Sequence, residues 1–207
     1  VGQPIPGLQI RLGDMEELQV KGPTVMKGYW KRPDATAEVF TEDGWFKTGD
    51  QADLSDAGRI RIKGRIKEII VTSTGEKIPP TDMELAIQTD PLFEQVMVVG
   101  EARPFITALA VVNEAEWEKF AKEFNVDPTD ERMLMRRDIR MAALKRLKKA
   151  ASRFPQYGIP RNIRLLKEHW TVDNGCLTVT MKLRRPIIRE KLRAEIDELY
   201  TVPQNNV

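Results

Sequence analysis

The stretch from Gly44 to Pro80, GWFKTGDQADLSDAGRIRIKGRIKEIIVTSTGEKIPP, constrains the chain more than any other. Short apolar runs alternate in it with turns, and those turns carry an acid, an arginine, a lysine and several glycines. Polar residues held on turns beside rigid strands are where binding chemistry concentrates. The composition changes at Lys67. The residues before it read as the end of one domain, and those after it as a second.

Up to residue 66 the pattern is that of β structure. Leu8, Ile10 and Leu12 alternate with polar residues, as do Leu18 and Val20, which predicts half-buried strands. Gly22-Pro23 and Gly28 punctuate them, and Ala35 to Phe40 suits a short helix. Ile60 and Ile62 alternate with Arg59, Arg61 and Lys63, a strand whose basic face is read as solvated.

Beyond Lys67, Ile69 to Val71 is a brief apolar run closed by the turn Ser73-Thr74-Gly75. Thr81 and Glu84 have capping-box spacing just after Pro79-Pro80, so a helix is expected to start near Thr81. Val96 to Val99 and Ile106 to Val112 read as an antiparallel pair, and Glu114 to Phe124 as a helix from the spacing of Trp117, Phe120, Ala121 and Phe124. Met135, Ile139, Ala143, Leu147, Ala150 and Phe154 predict one basic amphipathic helix over 132–154. Its charges are read first as a solvated surface with apolar stems laid on the protein. Peripheral contact with anionic lipid comes second, and nucleic acid is set aside because no recognition motif accompanies the charge. Ile163 to Leu166 is a strand, and Trp170 to Thr180 a turn-rich loop. Pro186 opens a closing helix whose Ile188, Leu192, Ile196 and Leu199 face the core. The polar tail after Tyr200 is expected to fray.

With 207 residues and 41% hydrophobic content the chain can bury a core. Its formal charge of +2 argues for no polyanionic partner. A single cysteine, Cys176, rules out an internal disulfide framework and fits a reducing, cytoplasmic setting. His169 is the only histidine, so a His/Cys metal cluster is set aside, as is a Cys176–His169 dyad. There is no GxGxxG or P-loop pattern. Taken alone, these features reach a two-part α+β chain with polar loops at its centre.

WFKTGD followed by GRIRIKGRIKEII resembles the adenylate-forming superfamily that includes the acyl-CoA synthetases. The likeness recurs in order: ELQVKGPTVMKGY, Glu17 to Tyr29, precedes it, and LTVTMKLRR, Leu177 to Arg185, resembles the lysine segment of the long-chain branch. Two positions depart from the pattern: Val179 stands where that branch usually has proline, and Glu16 where a glycine is usual. The resemblance implies an α+β fold in which residues 1–66 are the last strands of a large N-terminal AMP-binding domain. Residues 67–207 would form a small mobile C-terminal domain, a short mixed sheet flanked by helices. The chain is accordingly expected to be a fragment of a fatty acid–CoA ligase, inactive on its own.

The same resemblance implies roles for single residues. Asp50 would bind the ribose diol of AMP, Arg65 would contact the nucleotide, and Lys67 would be the hinge about which the small domain turns between half-reactions. Gly75 would line the pantetheine channel of CoA, and Arg184, with Arg185, would meet CoA phosphates. Lys182 would be the catalytic cation that carries the carboxylate onto the α-phosphate of ATP. ATP, a fatty acid and CoA are the expected substrates, with Mg2+ arriving on ATP and ligated outside this chain; no metal site is expected within it. An acyl-AMP ligase that loads a carrier protein is the nearest alternative, and a non-catalytic nucleotide- or membrane-binding module the next.

Overall fold

The alternating apolar residues near the N-terminus form a four-stranded antiparallel sheet in the order β1-β2-β3-β4, made of β1 (Gln9–Leu12), β2 (Glu17–Lys21), β3 (Phe46–Asp53) and β4 (Arg61–Arg65). Leu18, Ala52 and Ile60 are its buried centre, with Ile10, Val20, Leu54 and Ile62 packed around them. A short helix, α1 (Pro33–Val39), starts on a proline whose fixed φ suits a first turn. The basic face of β4 behaves as a solvated face: Arg61 is exposed, and Lys63 reaches Glu16 at 2.9 Å. This computed structural model describes residues 2–56 and 58–201, so the expectation of a frayed tail falls outside the described residues beyond Thr201.

The chain divides into two compact units, Val1–Ile69 and Ile70–Val207. The second opens with a two-stranded ladder of β5 (Ile70–Val71) and β6 (Lys77–Ile78) around the turn that carries Gly75. Its main sheet has the order β7-β8-β9, from Phe93–Val99, Thr107–Val112 and Asn162–Leu166. The first pair is antiparallel, as the sequence predicts, while β9 joins β8 in parallel. Because strand side chains alternate, the sheet feeds two cores. Val96, Val98, Ala108, Ala110, Ile163 and Leu165 face α2 (Pro80–Ile87), α3 (Glu114–Glu123) and α4 (Arg137–Ala150). Met97, Val99, Leu109 and Val111 face Trp170, Cys176 and Leu177 together with α5 (Arg185–Lys191) and α6 (Arg193–Thr201).

Three helix expectations are corrected. The helix after Pro79 begins at Pro80, but Thr81 and Glu84 form no capping box. Pro79 is the N-cap and gives no side-chain cap bond, and the Glu84 carboxylate is taken by Arg185 and by the amide of Val98. The helix expected over 132–154 is a 3-10 segment, Glu131–Met135, followed by α4. Arg136, with φ −59° and ψ 132°, separates them. The closing helix is likewise split at Leu192, φ −108° and ψ 29°.

The apolar face of α4 is buried: Ile139, Ala143 and Leu147 have no exposure. No such stripe remains to enter a lipid interface. Part of its charge is also engaged within the protein, since Arg146 grips Asp90 with bonds of 2.9 and 2.6 Å and Arg140 reaches Asn162 at 2.7 Å. Among the described residues no helix is long and apolar enough to cross a membrane.

Candidate active-site elements

In the first unit the TGD triplet bulges from the sheet. Gln19 faces Lys47 and Glu17 faces Gln51, so Thr48, Gly49 and Asp50 stand opposite Leu18 alone. A bulge re-aims the side chains it carries. Gly49 has φ +72°, a conformation glycine reaches without strain. Thr48 fixes the turn, its hydroxyl donating to the Leu18 carbonyl at 2.7 Å and accepting from the Asp50 amide at 3.1 Å. Sequence reasoning missed Thr48; a hydroxyl residue just before a Gly-Asp pair is the signal that could have found it.

The structure brings Asp50 and Arg65 together. They are cross-strand partners on β3 and β4, and Arg65 Nε lies 2.9 Å from Asp50 Oδ1. Arg65 also donates to the Thr48 carbonyl at 3.1 Å. Arg65 is about half exposed and Asp50 about a quarter, so both face solvent beside the bulge. A carboxylate has two oxygens and about four lone-pair sites, and the arginine occupies one oxygen. The pair therefore offers an oriented acceptor for hydroxyls beside a planar cationic donor.

Lys67 is exposed in the 3-10 turn Ile66–Glu68, just before the boundary at Ile69. Gly75 is exposed at φ +85°, and a Cβ built there would meet no atom within 4 Å. The ladder beneath it is closed by Thr72, whose hydroxyl accepts from Glu76 N at 3.1 Å.

Lys182 lies in the second unit on a tight hairpin. Leu177 and Leu183 form its closing bridge. Thr178 N donates to the Lys182 carbonyl at 2.9 Å, and Lys182 N donates to Thr178 Oγ1 at 3.1 Å. Met181 turns the chain at φ +61°. Val179 and Met181 are 86% and 67% exposed while Leu177 is 4% exposed, so the hairpin has a bare tip on a buried base. Lys182 is itself exposed, and its ammonium has no ion pair among the described residues. A cation presented on a long stem by a rigid turn can be delivered to an anionic partner.

Arg184 and Arg185 diverge. Arg184 is exposed and donates to the Gly175 carbonyl at 3.3 Å. Arg185, expected at a CoA phosphate, points inward and makes a two-pronged pair with Glu84 at 2.7 and 2.6 Å. Glu84 also accepts from Val98 N at 2.7 Å. Its side chain is only 7% exposed, and losing one member of such a buried pair costs about 3–5 kcal/mol. Glu84 was overlooked as a partner; a glutamate set among Met83, Ala86 and Ile87 on the buried face of a helix was the available signal. The groups set aside in the sequence stay apart from this chemistry: Cys176 is buried in the hairpin base, and His169 faces Glu94 at 3.2 Å. No cluster of three or more His, Cys, Asp or Glu residues able to hold a metal exists among the described residues.

Comparison with known proteins adds the family. Residues 67–203 match the AMP-binding enzyme C-terminal domain. The chain is 38% identical to the long-chain-fatty-acid–CoA ligase FadD15 of Mycobacterium tuberculosis over 97% of its own length and 34% of that protein's. It is 31% identical to the long-chain-fatty-acid–[acyl-carrier-protein] ligase AEE15 of Arabidopsis thaliana, covering 97% of this chain and 29% of that protein. The chain thus spans about a third of the length of the curated relatives it matches. Among solved structures, the adenylation domain of a carboxylate reductase from Mycobacterium chelonae superposes with a TM-score of 0.77 at 26% identity, over 97% of this chain and 32% of that one. The A domain of a carboxylic acid reductase from Segniliparus rugosus, in complex with AMP and a carboxylic acid, gives 0.74 at 28% identity, over 89% of this chain and 28% of that one. The chain belongs to the AMP-binding, adenylate-forming enzymes.

Proposed function

We propose that this chain is the C-terminal part of an ATP-dependent fatty acid–CoA ligase, which converts acid, ATP and CoA to acyl-CoA, AMP and pyrophosphate through an acyl-AMP. Residues 1–66 would complete the large AMP-binding domain, and residues 67–207 would be the small domain that turns on it at Lys67. The observation that carries the reading is the Lys182 hairpin: a solvent-facing cation on a hydrogen-bonded turn with a buried base.

In the first half-reaction the carboxylate attacks the α-phosphorus of ATP and pyrophosphate leaves. Two anions must approach, and a preplaced ammonium from Lys182 offsets the charge that gathers as they do. Asp50 would accept the ribose hydroxyls, and Arg65 beside it would contact the nucleotide. In the second half-reaction the thiol of CoA attacks the acyl carbonyl and AMP leaves. Gly75 would let the pantetheine arm pass close to the backbone, with Arg184 near the CoA phosphates. Lys182 has no part in that step.

The identity of the acceptor is tested with the full-length enzyme, a long-chain fatty acid and ATP, supplied with either free CoA or a phosphopantetheinylated carrier protein. Acyl-CoA with stoichiometric AMP is the expected result. Product only with the carrier protein would establish the second reading, which the likeness to a carrier-protein ligase favours. No thioester with either acceptor would overturn both.

A further inference from the structure

The direction in which Lys182 points depends on what holds its hairpin. The turn from Thr178 to Lys182 is short and internally hydrogen-bonded, so it moves as one piece. One leg is fixed by Cys176 and Leu177, 3% and 4% exposed in the core. The other leg continues through Leu183 and Arg184, whose amide donates to the Cys176 carbonyl at 2.8 Å, into Arg185. There the guanidinium meets both oxygens of Glu84, on α2, and Glu84 is held in turn by the amide of Val98 on the edge strand β7. The pair ties the second leg to an element on the opposite face of the sheet.

We infer that Glu84 and Arg185 are positioning residues for Lys182, fixing the hairpin so that the ammonium is presented correctly in the acid-activating half-reaction. This rests on the reading of Lys182 as the cation of that step. A two-pronged arginine–carboxylate pair fixes orientation as well as distance, whereas a lysine supplies a point charge that leaves orientation loose. Only two residues, Leu183 and Arg184, separate the clamp from the cation, so a small tilt at Arg185 is transmitted to the hairpin tip. Neither residue touches a reacting atom.

The test uses the full-length enzyme and two assays, acyl-AMP formation from acid and ATP, and thioester formation from supplied acyl-AMP and CoA. Arg185→Lys keeps the charge but loses the fork, and Glu84→Gln keeps an acceptor for Val98 while losing the charge. A displacement of an ångström or so can cost about 100-fold in rate, so each variant is expected to slow acyl-AMP formation by roughly 10- to 100-fold. Thioester formation should stay within about two-fold of wild type, and the double variant should lose little more than the worse single one, as expected of residues acting as a unit. Wild-type acyl-AMP formation in both variants, or a parallel fall of both half-reactions and of melting temperature, would overturn the inference. Lys182→Ala run alongside separates the two levels. If it fails to abolish acyl-AMP formation selectively, the underlying reading falls and the clamp with it. If it is selective while Arg185→Lys and Glu84→Gln are not, the clamp alone falls.

Discussion

Asp90 shows how single residues set the limits of the second unit. Partial burial works against its charge, but the hydrogen bonds from Arg146 and from the Leu92 amide outweigh that, and its carboxyl is held below the ordinary value of 3.8. A carboxyl depressed in the folded state contributes stability that is fully present above its unfolded value and is lost as pH falls through the folded one. Between about pH 5 and pH 3 the melting temperature of the protein should therefore fall more steeply than that of Asp90→Asn; parallel curves would show that the pair contributes nothing. Gly75 tests the opposite case, a residue with no packing to lose. Its φ of +85° is one that L side chains rarely adopt, the surrounding space is open, and asparagine is among the side chains least strained there. Gly75→Asn should lower the melting temperature only modestly, through backbone strain, while slowing thioester formation with CoA, and wild-type thioester kinetics would reduce Gly75 to an ordinary turn residue. The family was legible because the runs that carry Asp50, Arg65 and Lys182 are short and keep a recognisable order, and the roles of these three residues belong to the proposal. Glu84 was not, because its partner lies 101 positions away, and local spacing suggested a cap instead.

At the scale of elements, strand pairing was legible wherever apolar residues alternate, and β7 and β8 pair as their pattern implies. The parallel placement of β9 was not, since a short apolar strand carries no record of its direction. The helix breaks at Arg136 and Leu192 were hidden for a related reason. Met135 and Ile139 keep helical spacing across the first break, although the 3-10 segment seats Leu134 and Met133 on the core, and Ile188, Leu192 and Ile196 keep it across the second because all three pack on one core. Asp130 caps the N-terminal end of the 3-10 segment, its side chain accepting from Arg132 N at 3.0 Å. The core itself is close-packed around α4, where Leu147 has no exposure. Leu147→Ala should cost about 2–5 kcal/mol, measured by denaturant unfolding, whereas Lys148→Ala on the exposed face should change stability by less than about 0.5 kcal/mol. Equal effects would mean that α4 does not seat its apolar face on the sheet.

For the molecule as a whole, the proposed chemistry is divided between the two units: the pair Asp50 and Arg65, proposed to take the nucleotide, lies in Val1–Ile69, and the Lys182 hairpin in Ile70–Val207. The purified 207-residue chain should form no acyl-AMP and no acyl-CoA, because the chain spans only about a third of its relatives; ATP-dependent thioester formation by this chain would refute that. The central claim is that Lys182 serves acid activation alone, and it is tested most directly in the full-length enzyme by comparing wild type with Lys182→Ala in the two half-reactions. Removing a preorganised charge-stabilising group typically costs about 100- to 1000-fold. A loss of that size is predicted for acyl-AMP formation, with thioester formation from supplied acyl-AMP largely retained. Equal activity of the two proteins in both assays, or an equal loss in both, would contradict the account.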